Sequence, residues 1–412
     1  MQSEEKIYDW IVVGGGISGI AVTEILARNG VDVLLIEKNE QLGAETSGEF
    51  HEWFHSGALQ TLVPDNLLTL RYLLGATDDL LEYYNSFPNM NLAGSETGVN
   101  VSGAGWFNND SIRYKYHVSK ANPVWTALVA RSASIIDQIA GHDWLRRRAG
   151  SEFGGSNFSW RRWAPYYMSQ LKEKSSFFEL DSTDRTMNSR LLLGDLLASC
   201  INNKAEIRVA TRFLNYVEER DHVSIETDKG RIYGQQIAIC SPDAISSTFN
   251  VPIKHGFAPM AVVEGVWDKS SSFVELNYVQ TRCINLLAKG GGIGQAGGIT
   301  LAHKSKADEY LKYIVSEHKK RNPSLRVLGS YTGIKKELVS KGQDRNYLYH
   351  IDKRSQRVWS VVLGKFSLAF SMAPEFFRRI YRENPKKVAP EAPALGDHSL
   401  LSDTTWQQIV KN

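Results

Sequence analysis

Residues 11–20 read IVVGGGISGI, an apolar run followed by four glycines within six residues. The pattern predicts a buried strand, a tight turn and the start of a helix. Glycine loses more conformational entropy on folding than any other residue, so this cluster needs a specific reason. The usual reason is a ligand that approaches the main chain itself.

The turn fits the spacing G-x-G-x-x-G. Gly14 permits the tight turn, Gly16 allows a diphosphate to approach the main chain, and Gly19 lets the helix pack closely on the strand. The free amides and the positive dipole end of the helix favour the phosphates. The loop therefore supplies the first predicted cofactor contacts: Gly14, Gly15, Gly16, Ile17, Ser18 and Gly19.

A second apolar run, VDVLLIEK at residues 31–38, ends in Glu37. An acidic side chain at this place accepts hydrogen bonds from a ribose diol and repels a 2′-phosphate. Strand, turn, helix and acid together predict a dinucleotide-binding unit. A merely tight strand–helix turn is the alternative, and an NAD-dependent dehydrogenase is the alternative to a flavoprotein.

The composition excludes several classes of protein. The chain has 412 residues, 42% of them hydrophobic, and a net charge of +3, which gives no reason to expect nucleic acid or an anionic membrane as a partner. Cys200, Cys240 and Cys283 lack metal-ligand spacing, so we expect no metal and a reducing compartment. A polar start and the lack of an 18-residue apolar run predict a cytoplasmic protein without a transmembrane segment.

The segment after Glu37 carries a family resemblance. Thr46, Ser47, His55 and Gly57 fit a Gly-x-x-Thr-Ser segment followed by a His-Gly-Gly-type segment. In this the chain resembles the superfamily of FAD-dependent D-amino-acid oxidases and glycerol-3-phosphate dehydrogenases. The resemblance implies bound FAD, with this loop passing the diphosphate and reaching the isoalloxazine ring. We expect non-covalent binding, with covalent attachment as the alternative.

Two later blocks extend the resemblance. EIRVATRFLNYVE (206–218) resembles the strand whose main chain, at Val209, pairs with adenine, although Cys240-Ser241-Pro242 departs from the family's Ala-x-Gly-like turn. LGKFSLAFSMAPE (363–375) resembles an element whose helix start faces the flavin. The resemblance thus implies further cofactor contacts at Glu37, Lys38, Thr46, Ser47, His55, Val209, Gly364, Lys365, Phe366 and Ser367.

The implied fold class is α/β, a Rossmann-like FAD-binding domain of the glutathione-reductase type with an antiparallel-sheet substrate domain. We expect the FAD-binding domain to be discontinuous (1–95, 180–250 and 340–382), with the substrate domain at 96–179 and 251–339. The Pro- and Ala-rich tail, 383–412, is expected to be poorly ordered apart from a short helix at its end. The glycine-rich stretch 289–298 lacks a phosphate-loop frame, which favours a hairpin.

The candidate catalytic residues are two histidines and two cations. His51 and His55 lie in the loop expected near the ring and could move a proton, or could be structural. Lys335, in a Gly-x-Arg-Pro-like segment, and Arg345 suit an anionic substrate; a solvated face is the alternative for Lys335 and its neighbours.

The predicted reaction is oxidation of a CH–OH centre of a small, polar, anionic substrate by hydride transfer to flavin N5. The alternatives are oxidation of a CH–NH centre and a non-catalytic FAD-binding protein. Glu52, Leu59 and Lys336 replace cationic or Arg-Pro positions of glycerol-3-phosphate dehydrogenases, so a phosphate-headed substrate is not expected in the same pose. The partners are a small-molecule substrate and an unidentified electron acceptor.

Overall fold

The computed structural model describes residues 6–62, 65, 67–92, 105–141, 175–266, 272–277, 282–339, 347–388 and 398–412. In chain order the strands are β1 (Ile7–Val13), β2 (Val33–Ile36), β3 (Trp53–Phe54), β4 (Phe107–Ser119), β5 (Ser175–Met187), β6 (Glu206–Arg208), β7 (Phe213–Glu218), β8 (Val223–Thr227), β9 (Gly230–Ile239), β10 (Ile253–Glu264), β11 (Phe273–Asn277), β12 (Arg282–Gly290), β13 (Ile293–Gly298), β14 (Arg326–Leu338), β15 (Tyr349–Lys353) and β16 (Val358–Leu363).

The helices lie between these strands and after them. They are α1 (Ile17–Arg28), α2 (Thr46–Glu49), α3 (Leu68–Tyr83), α4 (Pro123–Gly141), α5 (Ser189–Asn202), α6 (Pro242–Phe249), α7 (Lys304–Arg321), α8 (Ala369–Tyr381) and α9 (Thr405–Lys411), with short 3₁₀ turns at Leu59–Leu62, Phe366–Leu368 and His398–Leu400.

The first sheet has the strand order β15-β16-β9-β1-β2-β6, and β7 and β8 extend it as a hairpin paired with β9. β1 is parallel to β2 and to β9, which places it in the middle of the sheet. Helices α1, α5 and α8 share one apolar core over this sheet. The first apolar run is therefore buried on both faces, as expected for a central parallel strand, and Ile11 and Val12 are fully inaccessible.

The second sheet has the order β14-β10-β13-β12-β11-β4-β5-β3 and is antiparallel except for the parallel pair β11 and β4. The stretch 289–298 forms the hairpin between β12 and β13, which confirms that prediction. Gly290, Gly291 and Gly292 in its turn all have positive φ, which explains the run of glycines. The two sheets confirm the predicted fold class.

The two sheets take their strands from different parts of the chain. The first uses residues 7–36, 206–239 and 349–363, and the second uses 53–54, 107–187 and 253–338. β3 and the end of β5 thus pair in the second sheet although they lie in segments assigned to the FAD-binding domain. The domain boundaries themselves stay a prediction.

The segment 398–412 is packed, so the expected poor order of the tail is wrong for this part, whereas the short terminal helix is confirmed as α9. Leu401 and Thr404 are only 1% and 2% exposed. The segment is held because its main chain pairs with Leu42, a long-range contact that no local sequence pattern indicates.

Candidate cofactor and active site

A cavity of about 740 Å³ is lined by residues from both sheets. Its walls include the loop before α1, the chain from Gly43 to His55, the start of α6, strand β12 and the turn before the Phe366–Leu368 helix. A volume of several hundred cubic ångströms is typical of ligand and cofactor sites. The cavity is therefore the candidate site for both cofactor and substrate.

The glycine loop has the geometry that its sequence predicts. Gly14 has φ of +109°, and a Cβ on Gly19 would lie 1.8 Å from Gly14 O, so close packing of helix and strand requires glycine there. A Cβ on Gly16 would meet only Ser47 Oγ, at 3.3 Å. Gly16 therefore keeps open a space beside the main chain that a side chain would otherwise fill.

The start of α1 provides hydrogen-bond donors at this end of the cavity. Ile17 N–H donates to Ser47 Oγ at 3.1 Å, while the other first-turn amides have no acceptor within the helix. The first turn carries no acidic residue, so the positive dipole end is not offset there. Gly16 and Ser18 line the cavity beside these amides. The arrangement fits an anionic diphosphate.

Glu37 is fixed at the cavity wall by three donors. Its carboxylate accepts hydrogen bonds from Gly15 N–H at 2.6 Å, from Asn39 N–H at 2.9 Å and from Asn39 Nδ2 at 2.7 Å. Each carboxylate oxygen can accept more than one hydrogen bond, so capacity for a ribose diol remains.

Lys38 and Thr46, also predicted as cofactor contacts, line the cavity but have protein partners. Lys38 Nζ pairs with Glu45 Oε1 at 2.5 Å and with Asp243 Oδ2 at 3.3 Å. Thr46 Oγ1 donates to Ile334 O on β14 at 3.1 Å. Both therefore connect elements of the cavity wall to one another.

Val209 is one of three predicted cofactor contacts, with Gly19 and Ser367, that do not line the cavity. Its side chain packs against the first-sheet core, and its carbonyl accepts a hydrogen bond from Thr211 Oγ1. Thr211, Arg212 and Phe213 line the cavity instead. Their position two to four residues after Val209 is the signal that could have found them.

The turn before α8 also lines the cavity. Gly364, Lys365 and Phe366 line the wall as predicted, and Lys365 precedes the Phe366–Leu368 helix. Ser367 is fully buried and is not part of the wall. Its Oγ accepts a hydrogen bond from His55 N–H at 2.9 Å, so its contact is with the main chain of the histidine loop.

His55 presents a neutral imidazole to the cavity. Its ring stacks on Trp53 with centroids 4.3 Å apart, and 14% of its side chain is accessible. Burial, assisted by the positive charge of Lys365, lowers the pKa of His55 to about 4. Nδ1 lies 3.7 Å from Asp184 Oδ2, beyond hydrogen-bond distance, and has no hydrogen-bond partner within the described residues.

Asp184 is a site residue that the sequence did not indicate. Its buried carboxylate accepts hydrogen bonds from Trp53 Nε1 and Tyr114 OH, each at 2.8 Å, and from both N–H and Oγ of Ser56. Burial opposes ionisation, but the pKa of Asp184 is lowered because His55 and these donors favour the carboxylate. Asp184 therefore fixes the loop on both sides of His55.

His51 also lines the cavity and is packed against Gly297. A Cβ on Gly297 would lie 1.9 Å from His51 Nε2, so the contact requires glycine. Burial, with the charge of Lys289, lowers the pKa of His51 to about 3. Within the described residues His51 Nε2 has no hydrogen-bond partner.

Of the two cations predicted to bind substrate, Lys335 and Arg345, the structure describes only Lys335. Lys335 lines the cavity, but its Nζ pairs with Glu337 Oε1 at 2.5 Å. The neighbouring Lys336 bridges Glu45 Oε2 at 3.0 Å and Asp243 Oδ2 at 2.5 Å, so it is not simply a solvated side chain. Arg345 lies outside the described residues.

The second sheet contributes further cavity residues that sequence reasoning missed. Asn285 on β12 is 2% exposed, and its Oδ1 has no hydrogen-bond partner in the part of the chain that the structure describes. Cys283 lines the same wall, and burial raises the pKa of its thiol to about 12. Cys283 is therefore a neutral thiol, and Asn285 is a candidate hydrogen-bonding group.

No group of three or more His, Cys, Asp or Glu side chains has a metal-binding arrangement within the described residues. No helix within the same residues has the length and apolarity needed to cross a membrane.

The sequence matches the family of FAD dependent oxidoreductases (DAO) over residues 9–246, more than half of the chain. The fold and the diphosphate-binding geometry agree with this class of protein. The chain belongs to the DAO family of FAD dependent oxidoreductases, and its cofactor is FAD.

Three known proteins are similar to this chain, one in sequence and two in fold. It is 46% identical over 54 residues to UDP-galactopyranose mutase of Mycoplasma pneumoniae, but spans only 14% of that protein's length. Glycine oxidase from Geobacillus kaustophilus has a similar fold, with a TM-score of 0.64, 13% identity and coverage of 94% of this chain and 98% of that one. Glycerol-3-phosphate dehydrogenase from Bacillus halodurans, solved with FAD, also has a similar fold, with a TM-score of 0.56 and 13% identity. The match covers 94% of this chain and 68% of that one.

Proposed function

We propose that this chain oxidises a carbon bearing a hydroxyl group in a small, polar, anionic molecule, with hydride transfer to FAD. The observation that carries the proposal is the neutral imidazole of His55 in the cavity wall. An alcohol must lose its hydroxyl proton as the hydride leaves, and a neutral histidine can accept that proton. Bound FAD supplies the hydride acceptor at N5.

Each group of residues in the cavity wall would have its own role. The amides of Gly16 and Ser18 would hold the diphosphate, and Glu37 the ribose. A ring nitrogen of His55 would accept the hydroxyl proton, while Asp184 keeps the loop in place through Trp53 and Ser56. The helix start at Lys365 would place positive charge near the flavin and favour its reduced, anionic form.

Lys335 supports an anionic substrate. It lines the cavity, and its Nζ is held by Glu337. A substrate carboxylate could share this ammonium group, because an ammonium has three donors. His51 would contribute shape and a weakly basic nitrogen beside Gly297 rather than a charge, since its pKa is lowered to about 3.

Oxidation of a CH–NH centre is the second candidate. The fold likeness to glycine oxidase, which covers nearly the whole of both chains, favours it. An amine needs no protein base if it reacts in its neutral form, so His55 would then be structural. A non-catalytic FAD-binding protein is the third reading.

Anaerobic reduction of the FAD-loaded protein by a panel of 2-hydroxy acids, sugar acids and amino acids tests the three readings. The proposal expects a hydroxy compound to bleach the flavin, at a rate that falls only below about pH 4, where His55 becomes protonated. Bleaching by amino acids alone, at a rate that rises with the ionisation of the amine, favours the second candidate. If no compound of the panel bleaches the flavin, the non-catalytic FAD-binding protein is favoured.

The Lys365→Met variant sharpens the pH test. Removing this positive charge should raise the pKa of His55, because the charge of Lys365 is one of the causes that lower it. The acid limb of the reduction rate should then move to higher pH. An unmoved limb would remove His55 as the base. The cytoplasmic location stays a prediction from the sequence.

A further inference from the structure

Segment 398–412 contacts the loop that lines the cofactor cavity, although the two are more than 340 residues apart. Leu42 N–H donates to Leu400 O at 2.8 Å, and Ser402 N–H donates to Leu42 O at 3.0 Å. These bonds form a parallel bridge between Leu42 and Leu401. The segment therefore adds its main chain to the loop.

Leu42 carries this contact to the glycine loop. Its side chain is fully buried, and a Cβ on Gly15 would lie 2.4 Å from Leu42 Cδ2. The next residue, Gly43, donates its N–H to Gly15 O at 2.9 Å. The residue that pairs with the 398–412 segment thus packs directly against the diphosphate-binding turn.

A second contact reaches the histidine loop through a buried carboxylate. Trp406 Nε1 on α9 donates to Glu52 Oε2 at 2.7 Å, and Lys289 Nζ donates to the same oxygen at 2.7 Å. Glu52 Oε1 accepts from Ser189 N–H at 2.9 Å and from Ser189 Oγ at 2.6 Å. The Glu52 side chain is 3% exposed, so each of these donors compensates its loss of water.

Glu52 controls the path of the chain between the two cavity histidines. Its φ is +56°, a conformation that costs free energy for a residue with a side chain and that the surrounding contacts must hold. Lys289 Nζ also donates to His51 O at 2.7 Å. The carboxylate and the ammonium group together fix the main chain that carries His51 and leads to His55.

The segment has independent attachments. Asp403 pairs with Arg190 of α5, Oδ1 to Nε, at 3.0 Å. The side chain of Ile409 packs against Gly329 of β14, where an added Cβ would lie 2.7 Å from Ile409 Cγ2. Thr404 N–H donates to Gln407 Oε1 at 3.0 Å at the start of α9. Loss of the indole hydrogen bond alone should therefore leave the segment in place.

We propose that segment 398–412 is a working part of the cofactor site, which slows the loss of bound FAD. Through Leu42 it holds the glycine loop, and through Trp406 and Glu52 it positions the chain from His51 to His55. Trp406 is a positioning residue, since it acts on the cavity through Glu52.

The FAD-loaded Trp406→Phe variant tests the proposal, because phenylalanine keeps an aromatic ring and removes only the N–H donor. We expect FAD to dissociate at least about tenfold faster, since a buried carboxylate loses a donor, with release followed by flavin fluorescence. The absorption spectrum of the bound flavin should also change. Lys320→Met, on α7 at a side chain that is 69% exposed, should keep the wild-type rate.

A wild-type dissociation rate in a folded Trp406→Phe variant would overturn the proposal. A second measurement needs no variant: amide hydrogen exchange at Leu42 and Ser402 should slow when FAD binds, because coupling between two sites is reciprocal. Unchanged exchange at both amides would also overturn it. Neither test uses a substrate, so failure here is distinguishable from failure of the proposed oxidation.

Discussion

The glycine loop and the histidine loop line the same cavity and are built on different principles. Where the glycine loop lines the cavity, the glycine end, main-chain amides and missing side chains shape the site, and five consecutive residues, 14–18, lie in the wall. At the histidine end, side chains shape the site, and His55 depends on Asp184, Ser367 and Lys365 from distant segments.

This difference predicts different responses to substitution. At the glycine end, an added side chain should block the cofactor by volume, with little effect of charge or pH. At the histidine end, charged and titratable side chains line the wall, and the response should be electrostatic and pH-dependent. Four experiments test this difference.

The largest effect is expected at Gly16. Its φ of −79° and ψ of −179° suit any residue, so Gly16→Val should leave the fold intact while its side chain fills the diphosphate space. We expect FAD affinity to fall more than about a thousandfold, since the diphosphate loses its main-chain contacts. Fluorescence titration of the apoprotein measures this.

Two further glycines serve as controls for Gly16→Val. Gly19→Ala should lower stability as well as affinity, because its Cβ would lie 1.8 Å from Gly14 O. Gly75→Ala in α3 should raise stability by about 0.5–1 kcal/mol, because nothing lies within 4 Å of its Cβ and alanine favours a helix. Tight FAD binding by Gly16→Val would contradict the account of this end.

The next effect is expected at His55. His55→Gln should keep FAD but reduce it about a hundredfold or more slowly with a hydroxy substrate, because general-base catalysis is lost. Stopped-flow reduction without oxygen measures the rate. His222→Gln, which changes a histidine before β8 outside the cavity wall, should react like the wild type. Equal rates for the two variants would make His55 structural.

A stability effect should follow from the buried neutral histidines. Burial lowers the pKa of His51 to about 3 and of His55 and His318 to about 4. The unfolded chain binds protons at these groups below about pH 6.5, whereas the folded chain does not, so stability falls from pH 6.5 to pH 4 and is restored as the pH rises.

Each histidine with a pKa of about 4 should contribute up to about 3 kcal/mol to this loss at pH 4. His318→Gln can keep a donor towards Asn285 O and should flatten the pH dependence, as measured by denaturant unfolding at a series of pH values. The same slope in wild type and variant would show that His318 is not buried in its neutral form.

The smallest effect is expected at Asn285. Asn285→Leu keeps the approximate volume but removes the amide, so KM for the substrate should rise about tenfold while FAD affinity stays unchanged. Gln295→Leu is the matched control, because Gln295 is equally buried but does not line the cavity. Similar KM changes in both variants would indicate a general effect on the second sheet.

The same comparison explains how much the sequence could predict. The unit β1–α1–β2 and Glu37 were predictable because each contact is local and depends on glycine spacing and strand pattern. The Lys365 turn and His55 could be found by their resemblance to a family. These parts of the site depend on short motifs that keep their spacing in the sequence.

The remaining contacts join segments that lie far apart in the sequence, and no motif relates their positions by a fixed spacing. Asp184 meets Ser56 across 128 residues, and Trp406 meets Glu52 across 354. Val209 packs against the core, whereas Thr211 lines the cavity. The two side chains differ because the chain turns between them at Ala210, whose φ is +48°. Such partners are selected by tertiary packing and by the need to pair a buried charge.

Calorimetric titration of the apoprotein with FAD and with riboflavin tests whether the glycine loop binds the diphosphate. We predict one FAD per chain and an affinity at least about a thousandfold higher than that of riboflavin, because riboflavin lacks the diphosphate. Equal affinities for the two flavins would contradict this prediction.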